Sequence, residues 1–317
     1  MNPLKLFTGS SNPQLCHAVA DELGIEVGAC NCRRFSDGEV EVGFAESVRE
    51  ADVYLMESTS FPVNEHLMEL LLMIDACRRA SAARINAVMP YFGYSRQDRQ
   101  IQPRVPISAK VVADMLDAVQ VDRVITIDIH SHQIQGFFKA PMDHLTTTPL
   151  LIKHLRGLGI EEPVVVSPDA GGVELASEIA MGLAGTMALI DKRRAAPTKA
   201  KAMHLVGEVE GLDCILVDDM IDTADTLTEA ADVLITSGAR SVRAAVAHPV
   251  LSGAGIERLN RSKISEVIVT DTIPLPAEKQ IDKITTVSVA PLLAAAIHNI
   301  NRGESVSSLT THNGHVP

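Results

Sequence analysis

The chain has 317 residues, 46% hydrophobic and 21% charged, a balance that suits two globular cores of about 150 residues each. A formal net charge of −12 argues against nucleic acid or an anionic membrane as the main partner, but leaves room for local basic pockets that bind small anions. No apolar run reaches the roughly 18 residues of a membrane span, and the start MNPLKLFTGS lacks the apolar core of a secretory signal, so a cytoplasmic protein is expected.

In chain order, β-prone apolar runs alternate with runs of helical period. LKLFTG precedes NPQLCHAVADEL, where Asn12 and Pro13 read as N-cap and first helical residue. DVYLME precedes VNEHLMELLLMIDACRRA, RINAVMPYF precedes ISAKVVADMLDAV, and DRVITIDIH follows. The second half repeats the scheme: PVVVSPD then GGVELASEIAMGL, CILVDDM then DTLTEAADVLITSG, SVRAAVAHPVL, EVIVTDTI, ITTVSV, and finally APLLAAAIHNI. Continuous Val/Ile/Leu strands followed by amphipathic helices predict an α/β fold with mostly parallel sheets flanked by helices.

The plan occurs twice. VDRVITIDIHSHQIQGFF (121–138) and LDCILVDDMIDTADTL (212–227) each run from a polar start through an apolar strand to an acid and a polar turn. Two similar lobes are therefore expected, over 1–145 and 146–305, with a tail at 306–317. The boundary falls near KAPMDHLTTTP, which holds two prolines, a Thr cluster and no clear period.

The five cysteines, Cys16, Cys30, Cys32, Cys77 and Cys214, are odd in number and scattered, which favours reduced thiols over disulfides. Cys30 and Cys32 form C-x-C, a weak metal signature without a second pair or a nearby His. The absence of Trp and a 3% aromatic content argue against base-stacking platforms. Within this acidic chain DKRRAAPTKAKAM (191–203) is a basic loop, carrying Lys192, Arg193, Arg194, Lys199 and Lys201. It reads either as a solvated surface loop or as one that closes over a polyanionic phosphate.

Ligands of parallel α/β sheets bind beyond the carboxyl ends of the strands. The densest chemistry at such an end is VDDMIDTADT, where Asp218 and Asp219 close an apolar run and Asp222 or Thr223 is expected to cap the next helix. A helix N-terminus offers free N–H groups and a partial positive charge to a phosphate monoester, and the Thr223 and Thr226 hydroxyls add to it. The carboxylates repel phosphate but accept hydrogen bonds from sugar hydroxyls, or hold Mg²⁺ through water. The combination points to a sugar phosphate.

VDDMIDTADT resembles the phosphoribosyl-diphosphate loop of type I phosphoribosyltransferases. With RRFSDGEVEV, PYFGYSRQDR, PISAKVVADML, DIHSHQIQGFF, VSPDAGGV, DKRR, TDTIPL and HNINRGESVSSL in this order, nearly the whole chain is similar to the class I ribose-phosphate diphosphokinases. The resemblance implies two phosphoribosyltransferase-like lobes and transfer of the diphosphoryl group of ATP to the 1-hydroxyl of ribose 5-phosphate, giving phosphoribosyl diphosphate and AMP. It implies Mg²⁺ on His130 and Asp169, with a second ion arriving on ATP. It places Lys192 and Arg194 on the transferred phosphates and Phe35, Asp37, Glu39, Arg96, Gln97 and Arg99 around ATP, the first three from a neighbouring subunit. Arg104 is a further candidate for phosphate. Ribose 5-phosphate falls to Asp218, Asp219, Asp222, Thr223, Ala224, Asp225 and Thr226. A homohexamer regulated by ADP and inorganic phosphate is implied as well, through Ser47, Arg49, Gln135, Ser307 and Ser308.

Three places depart from the pattern: Asp225, where Gly is usual; Ser131 and His132 in DIHSH; and His144, where Asn is common. The histidines make regulation less secure than catalysis. Asp225 is expected to face away from the phosphate and to interact well with the helix dipole. Two other readings remain, a phosphoribosyltransferase that consumes phosphoribosyl diphosphate and a non-catalytic regulatory homologue. The first has no need of the FSDGE and SRQDR elements. The second would tend to lose His130, Asp169, Lys192 or Arg194, all of which are present.

Overall fold

The computed structural model describes residues 2–193 and 202–310. In chain order its first half comprises β1 (Leu4–Thr8), α1 (Pro13–Leu23), β2 (Cys30–Arg34), β3 (Val40–Phe44), β4 (Asp52–Met56), α2 (Val63–Arg79), β5 (Arg84–Met89), α3 (Ser108–Ala118), β6 (Arg123–Ile127) and β7 (Met142–Leu145). The second half comprises α4 (Thr148–Gly157), β8 (Val164–Ser167), α5 (Val173–Leu183), β9 (Thr186–Arg193), β10 (Ala202–Val206), β11 (Asp213–Ile221), α6 (Asp225–Thr236), β12 (Ser241–Pro249), α7 (Gly255–Arg261), β13 (Glu266–Thr270), β14 (Ile284–Val287), α8 (Ala290–Arg302) and α9 (Ser307–Thr310).

Among the described residues two main sheets form. The first runs β1-β4-β5-β6-β7, parallel throughout. The second runs β10-β9-β8-β11-β12-β13-β14 and is parallel except where β10 folds back on β9. The expected α/β architecture follows from strands buried on both faces. Successive side chains point to opposite sides, so Val53 and Leu55 of β4 join Leu70, Ile74 and Leu116 of α2 and α3. Tyr54 and Met56 join the opposite layer. In β11, Cys214 and Leu216 meet α6 through Leu227, Ala231 and Leu234, whereas Ile215 and Val217 meet α4 and α5 through Leu151 and Ile179.

Local signals hold at α1: Asn12 accepts from the Leu15 amide at 3.3 Å, Pro13 opens the helix, and Gly24 closes it at φ 66°. The outer layer of the first sheet is completed from far along the chain. α8 lies within the segment that sequence assigned to the second lobe. Its Leu293, Ala296, Ile297 and Ile300 nevertheless pack with Leu15 and Val19 of α1 over Leu6, Tyr54 and Ile125. Its apolar stripe has to be buried, and α1 alone leaves that face of the sheet open. Burying Leu293 and Ile297 contributes about 1.5–3 kcal/mol each.

The bounds of the basic segment differ from the sequence reading. The basic loop expected over 191–203 starts and ends in paired strand, with Lys192 opposite Met203 and Asp191 opposite His204. Sheet pairing with β8 and β10 overrides the charge pattern there. The five cysteines are free thiols, with the Cys30 and Cys32 sulfurs 3.7 Å apart on the β2–β3 hairpin. Among the described residues no helix is long and apolar enough to cross a membrane.

Candidate active site

The carboxyl ends of the two sheets face one another, and strand-end residues of one sheet bond to strand-end residues of the other. Beyond β1, the Asn12 amide donates to the Asp271 carbonyl at 2.8 Å. Beyond β4, the Ser58 hydroxyl donates to the Thr272 carbonyl at 2.6 Å. Beyond β5, Arg96 pairs with Asp222. Beyond β6, His130 Nδ1 lies 2.6 Å from Asp219 Oδ2. Tyr91, Met220 and Ile273 form a small apolar floor between them.

A cavity of about 400 Å³ opens on this seam, lined by Asp98, Arg99, Asp128, His130, His132, Gln133, His144, Asp169, Asp218 and Asp219 among others. Its carboxylates are not equivalent. Burial and the adjacent Asp219 charge push Asp218 well above the ordinary carboxylate range. Burial also acts to raise Asp219, but the hydrogen bond and charge of His130 outweigh it and hold Asp219 below its ordinary value. The same bond raises His130 above the usual imidazole range. The cavity thus sets a raised acid beside the hydrogen-bonded Asp219–His130 pair. Asp169 is fixed by its own turn, Oδ1 accepting from the Gly171 amide at 2.8 Å.

The sequence reading ended the strand at Asp218–Asp219 and gave the helix cap to Asp222 or Thr223. β11 instead continues to Ile221, because β12 pairs with it as far as Pro249. The cap is Ala224 at φ 64°, and Asp225 is the first helical residue. Asp222 is spoken for elsewhere: burial opposes its ionisation, but Ser252 and Arg96 hydrogen bonds hold it below its ordinary value. The Thr223 hydroxyl donates to Asp225 Oδ2 at 2.7 Å, and Arg258 of α7 meets Asp225 Oδ1 at 2.8 Å. Arg258 also donates to the Thr223 carbonyl at 2.9 Å. The turn 222–226 is therefore tied from behind by residues 251–258. Gly255 permits this approach, since a Cβ there would meet the Asp222 carbonyl at 2.8 Å. Thr226 is half-buried in the first turn of α6.

The other expected residues are spread more widely. Arg99 lines the cavity, Arg96 is held on Asp222, and Gln97 turns its side chain to the Ser108 hydroxyl at 2.5 Å, at the start of α3. Arg104 is exposed at φ 67°. Phe35, Asp37 and Glu39 form the tip of the β2–β3 hairpin, where the Glu39 amide donates to Asp37 and Phe35 is 52% exposed. None of the three lines the cavity. Ser47 and Arg49 lie in the turn before β4, Gln135 in the 3₁₀ turn His132–Phe137, and Ser307 and Ser308 in α9. Lys192 has its backbone in β9. Arg194, Lys199 and Lys201, and with them the loop expected to order on phosphate, lie outside the described residues.

His248 and Arg258 were missed. His248 ends an apolar strand in HPVL, so the strand-end rule that found Asp218 applies to it equally. Arg258 carries no such mark, as its role depends on α7 folding back onto the turn.

Residues 4–119 match the family model for the N-terminal domain of ribose phosphate pyrophosphokinase, and residues 182–311 match the phosphoribosyl synthetase-associated domain. The ribose-phosphate pyrophosphokinase of Bacillus caldolyticus is 53% identical over 306 residues, 96% of this chain and 97% of that one. The chain belongs to the ribose-phosphate pyrophosphokinase family. The relative of that name from Caldanaerobacter subterraneus subsp. tengcongensis is also 53% identical, over 98% of both chains. The crystal structure of phosphoribosylpyrophosphate synthetase from Mycobacterium smegmatis superposes with a TM-score of 0.91 at 42% identity, covering 95% of this chain and all of that one. Family membership thus accounts for the parallel sheets flanked by helices.

Proposed function

We propose that the seam cavity is where this enzyme of the ribose-phosphate pyrophosphokinase family transfers the diphosphoryl group of ATP to the anomeric hydroxyl of ribose 5-phosphate, giving phosphoribosyl diphosphate and AMP. One observation carries the reading: Asp219, on the strand that leads into the phosphate-type turn of the second lobe, meets His130 of the first lobe at 2.6 Å. The free N–H groups of α6 and the Thr226 hydroxyl take the 5-phosphate. Asp219 accepts from a ribose hydroxyl, and Asp218 offers a second carboxyl group beside it. Arg96 and Arg99 receive ATP phosphates, with Gln97 and Arg104 beside them. Lys192 and Arg194 clamp the transferred group.

The donor set suits Mg²⁺. Among the described residues no group of three or more His, Cys, Asp or Glu is poised to hold a metal alone, but Mg²⁺ keeps several waters and takes few protein ligands. His130 and Asp169, which share the cavity wall, would hold one ion, and a second would arrive with ATP. When bound, the metal neutralises charge spreading over the transferred phosphates. The chain's own part is to orient the sugar hydroxyl and align the two substrates across the seam.

The exposed hairpin of Phe35, Asp37 and Glu39 supports an ATP site completed by a neighbouring subunit of a homohexamer. ADP and inorganic phosphate are the proposed effectors, at Ser47, Arg49, Gln135, Ser307 and Ser308 where subunits join. The enzyme works in the cytoplasm and feeds nucleotide and amino-acid biosynthesis. The test is AMP formation by purified protein with Mg²⁺, ATP and ribose 5-phosphate, with and without phosphate and ADP. Absence of AMP under all conditions would end the catalytic reading.

A further inference from the structure

We infer that His248 is a positioning residue for this reaction: from β12 it holds the backbone turn that carries His130, and so sets the distance at which His130 meets Asp219. The inference rests on the assignment of those two residues to the site.

The His248 ring is 1% exposed and fully engaged. Nε2 lies 3.1 Å from both the Ile127 and the Asp128 carbonyl oxygens, so it carries the ring proton and donates to both. Nδ1 lies 2.9 Å from the Thr272 hydroxyl, from which it accepts. Thr270 donates its own hydroxyl proton to the Ala247 carbonyl at 2.6 Å, and the Thr272 hydroxyl lies nearer the ring, at 2.9 Å, than that carbonyl, at 3.3 Å. Burial lowers the ring's affinity for a second proton, in keeping with a neutral imidazole of one tautomer. Tyr91 meets the ring edge-on at 5.1 Å and fixes its plane.

The segment held in this way needs holding. Asp128 has φ 36°, in the left-handed region that disfavours a side chain, and such a conformation persists only where neighbours over-determine it. Its carboxylate accepts from the Thr147 amide at 3.0 Å and from the Thr147 hydroxyl. The next amide, of Ile129, donates to His144 Nε2 at 2.9 Å. Those anchors stand on β7 and just after it, whereas His248 ties the turn to the second sheet. β12 is also the strand paired with β11, in the register Asp218 to Val246 and Met220 to His248. A closed path results, from Asp219 along β11 to β12, through His248 to Asp128, and on to His130 and back to Asp219. A residue that fixes the partner of a metal ligand acts on metal affinity and turnover, not only on folding. The ribose 5-phosphate turn is anchored separately, by Ser252 and Arg258.

The test compares His248→Leu with His248→Gln in the full-length enzyme. It reads kcat, the KM for ribose 5-phosphate, Mn²⁺ binding to the substrate-free protein by electron paramagnetic resonance, and thermal unfolding. The leucine variant is expected to lose about tenfold in kcat and in Mn²⁺ affinity, with KM for ribose 5-phosphate within about twofold of wild type. The glutamine variant, whose amide nitrogen can donate to the same carbonyls, recovers most of both. A folded leucine variant with wild-type turnover and Mn²⁺ affinity overturns the inference, as does a glutamine variant that falls equally far. If the leucine variant does not fold, Thr272→Val decides. It removes the hydrogen bond that orients the ring at Nδ1 and should lower kcat severalfold, and unchanged kcat refutes the role. If the wild type makes AMP but His130→Ala binds Mn²⁺ equally well, the metal assignment fails. The kcat comparison among the His248 variants then still judges His248.

Discussion

Replacing Asp225 by Asn or Gly tests how the phosphate turn is built. The carboxylate is the first residue of α6, beside the N–H groups proposed to hold the 5-phosphate, yet its oxygens are directed to Arg258 and the Thr223 hydroxyl. Two costs and one gain follow. The ion pair is exposed on both sides, 40% for Arg258 and 52% for Asp225, so its loss costs at most about 1 kcal/mol. Loss of the favourable helix-dipole contact costs about 0.3–1 kcal/mol more. Against this, a carboxylate at an assumed separation of roughly 8 Å from a phosphate dianion in near-bulk dielectric repels it by about 1 kcal/mol, or roughly fivefold in affinity. Removing the charge also frees Arg258 and the Thr223 hydroxyl to turn toward the anion.

Asp225→Asn is therefore expected to lower the KM for ribose 5-phosphate by about fivefold at unchanged kcat, and to lower the melting temperature by a few degrees at most. The assay is initial-rate AMP formation at saturating ATP and Mg²⁺ over a range of ribose 5-phosphate, with unfolding followed by circular dichroism. A hundredfold gain in affinity would mean that the carboxylate points into the phosphate cup, and would refute the outward placement. A large fall in kcat would equally refute it, because the reasoning gives Asp225 no part in the transfer.

The His130–Asp219 pair predicts two pH effects of known sign. His130 is raised in the folded state, so the stability it contributes is complete below the ordinary histidine range and is lost as pH rises through its folded value. Metal binding runs the other way, since only the neutral ring ligates. Mn²⁺ affinity should climb as pH passes that same raised value, and Asp219→Asn should move the climb to lower pH. In the first lobe, burial and then the nearby Glu69 charge raise Glu57 well above the carboxylate range, while one of its oxygens is buried with no hydrogen-bond partner. A raised acid contributes stability below its unfolded pKa and loses it as pH rises through the folded value. Glu57→Gln should match wild type in acid and exceed it increasingly toward alkaline pH. Urea unfolding at several pH values checks this, and a pH-independent difference would contradict it.

Period and composition made the strands and helices legible because both are local. Val53 and Leu55 face one way and Tyr54 and Met56 the other, whatever lies across from them. Three features were beyond that reach. α8 reads as an amphipathic helix from its own sequence, but nothing in APLLAAAIHNI says that its apolar stripe closes the first core and not the second. Asp218 and Asp219 read as a strand end because acids usually mark one, whereas pairing with β12 carries the strand on to Ile221. His248 read as one more strand residue, since its partners are carbonyls 120 and 121 positions away. The motifs of the phosphate turn, by contrast, were visible because helix N-terminus, hydroxyls and carboxylates sit within nine residues of one another.

The charge arrangement of the seam bears on how an acidic protein takes two phosphorylated substrates. At rest three of its basic side chains are already engaged: Arg96 with Asp222, His130 with Asp219, Arg258 with Asp225. Burial and the Asp219 charge raise Asp218, which disfavours a second negative charge beside Asp219. On the proposed assignment, binding is then an exchange of partners. Phosphate oxygens replace carboxylates on arginines, while the released carboxylates turn to sugar hydroxyls or to a water-bearing metal. Such an exchange costs less than desolvating free charges, because each cation leaves one partner as it gains another. It also makes affinity depend on both lobes at once. Arg96 and His130 come from the first, Asp222 and Asp219 from the second, so the two substrates are held by residues whose spacing is set across the seam.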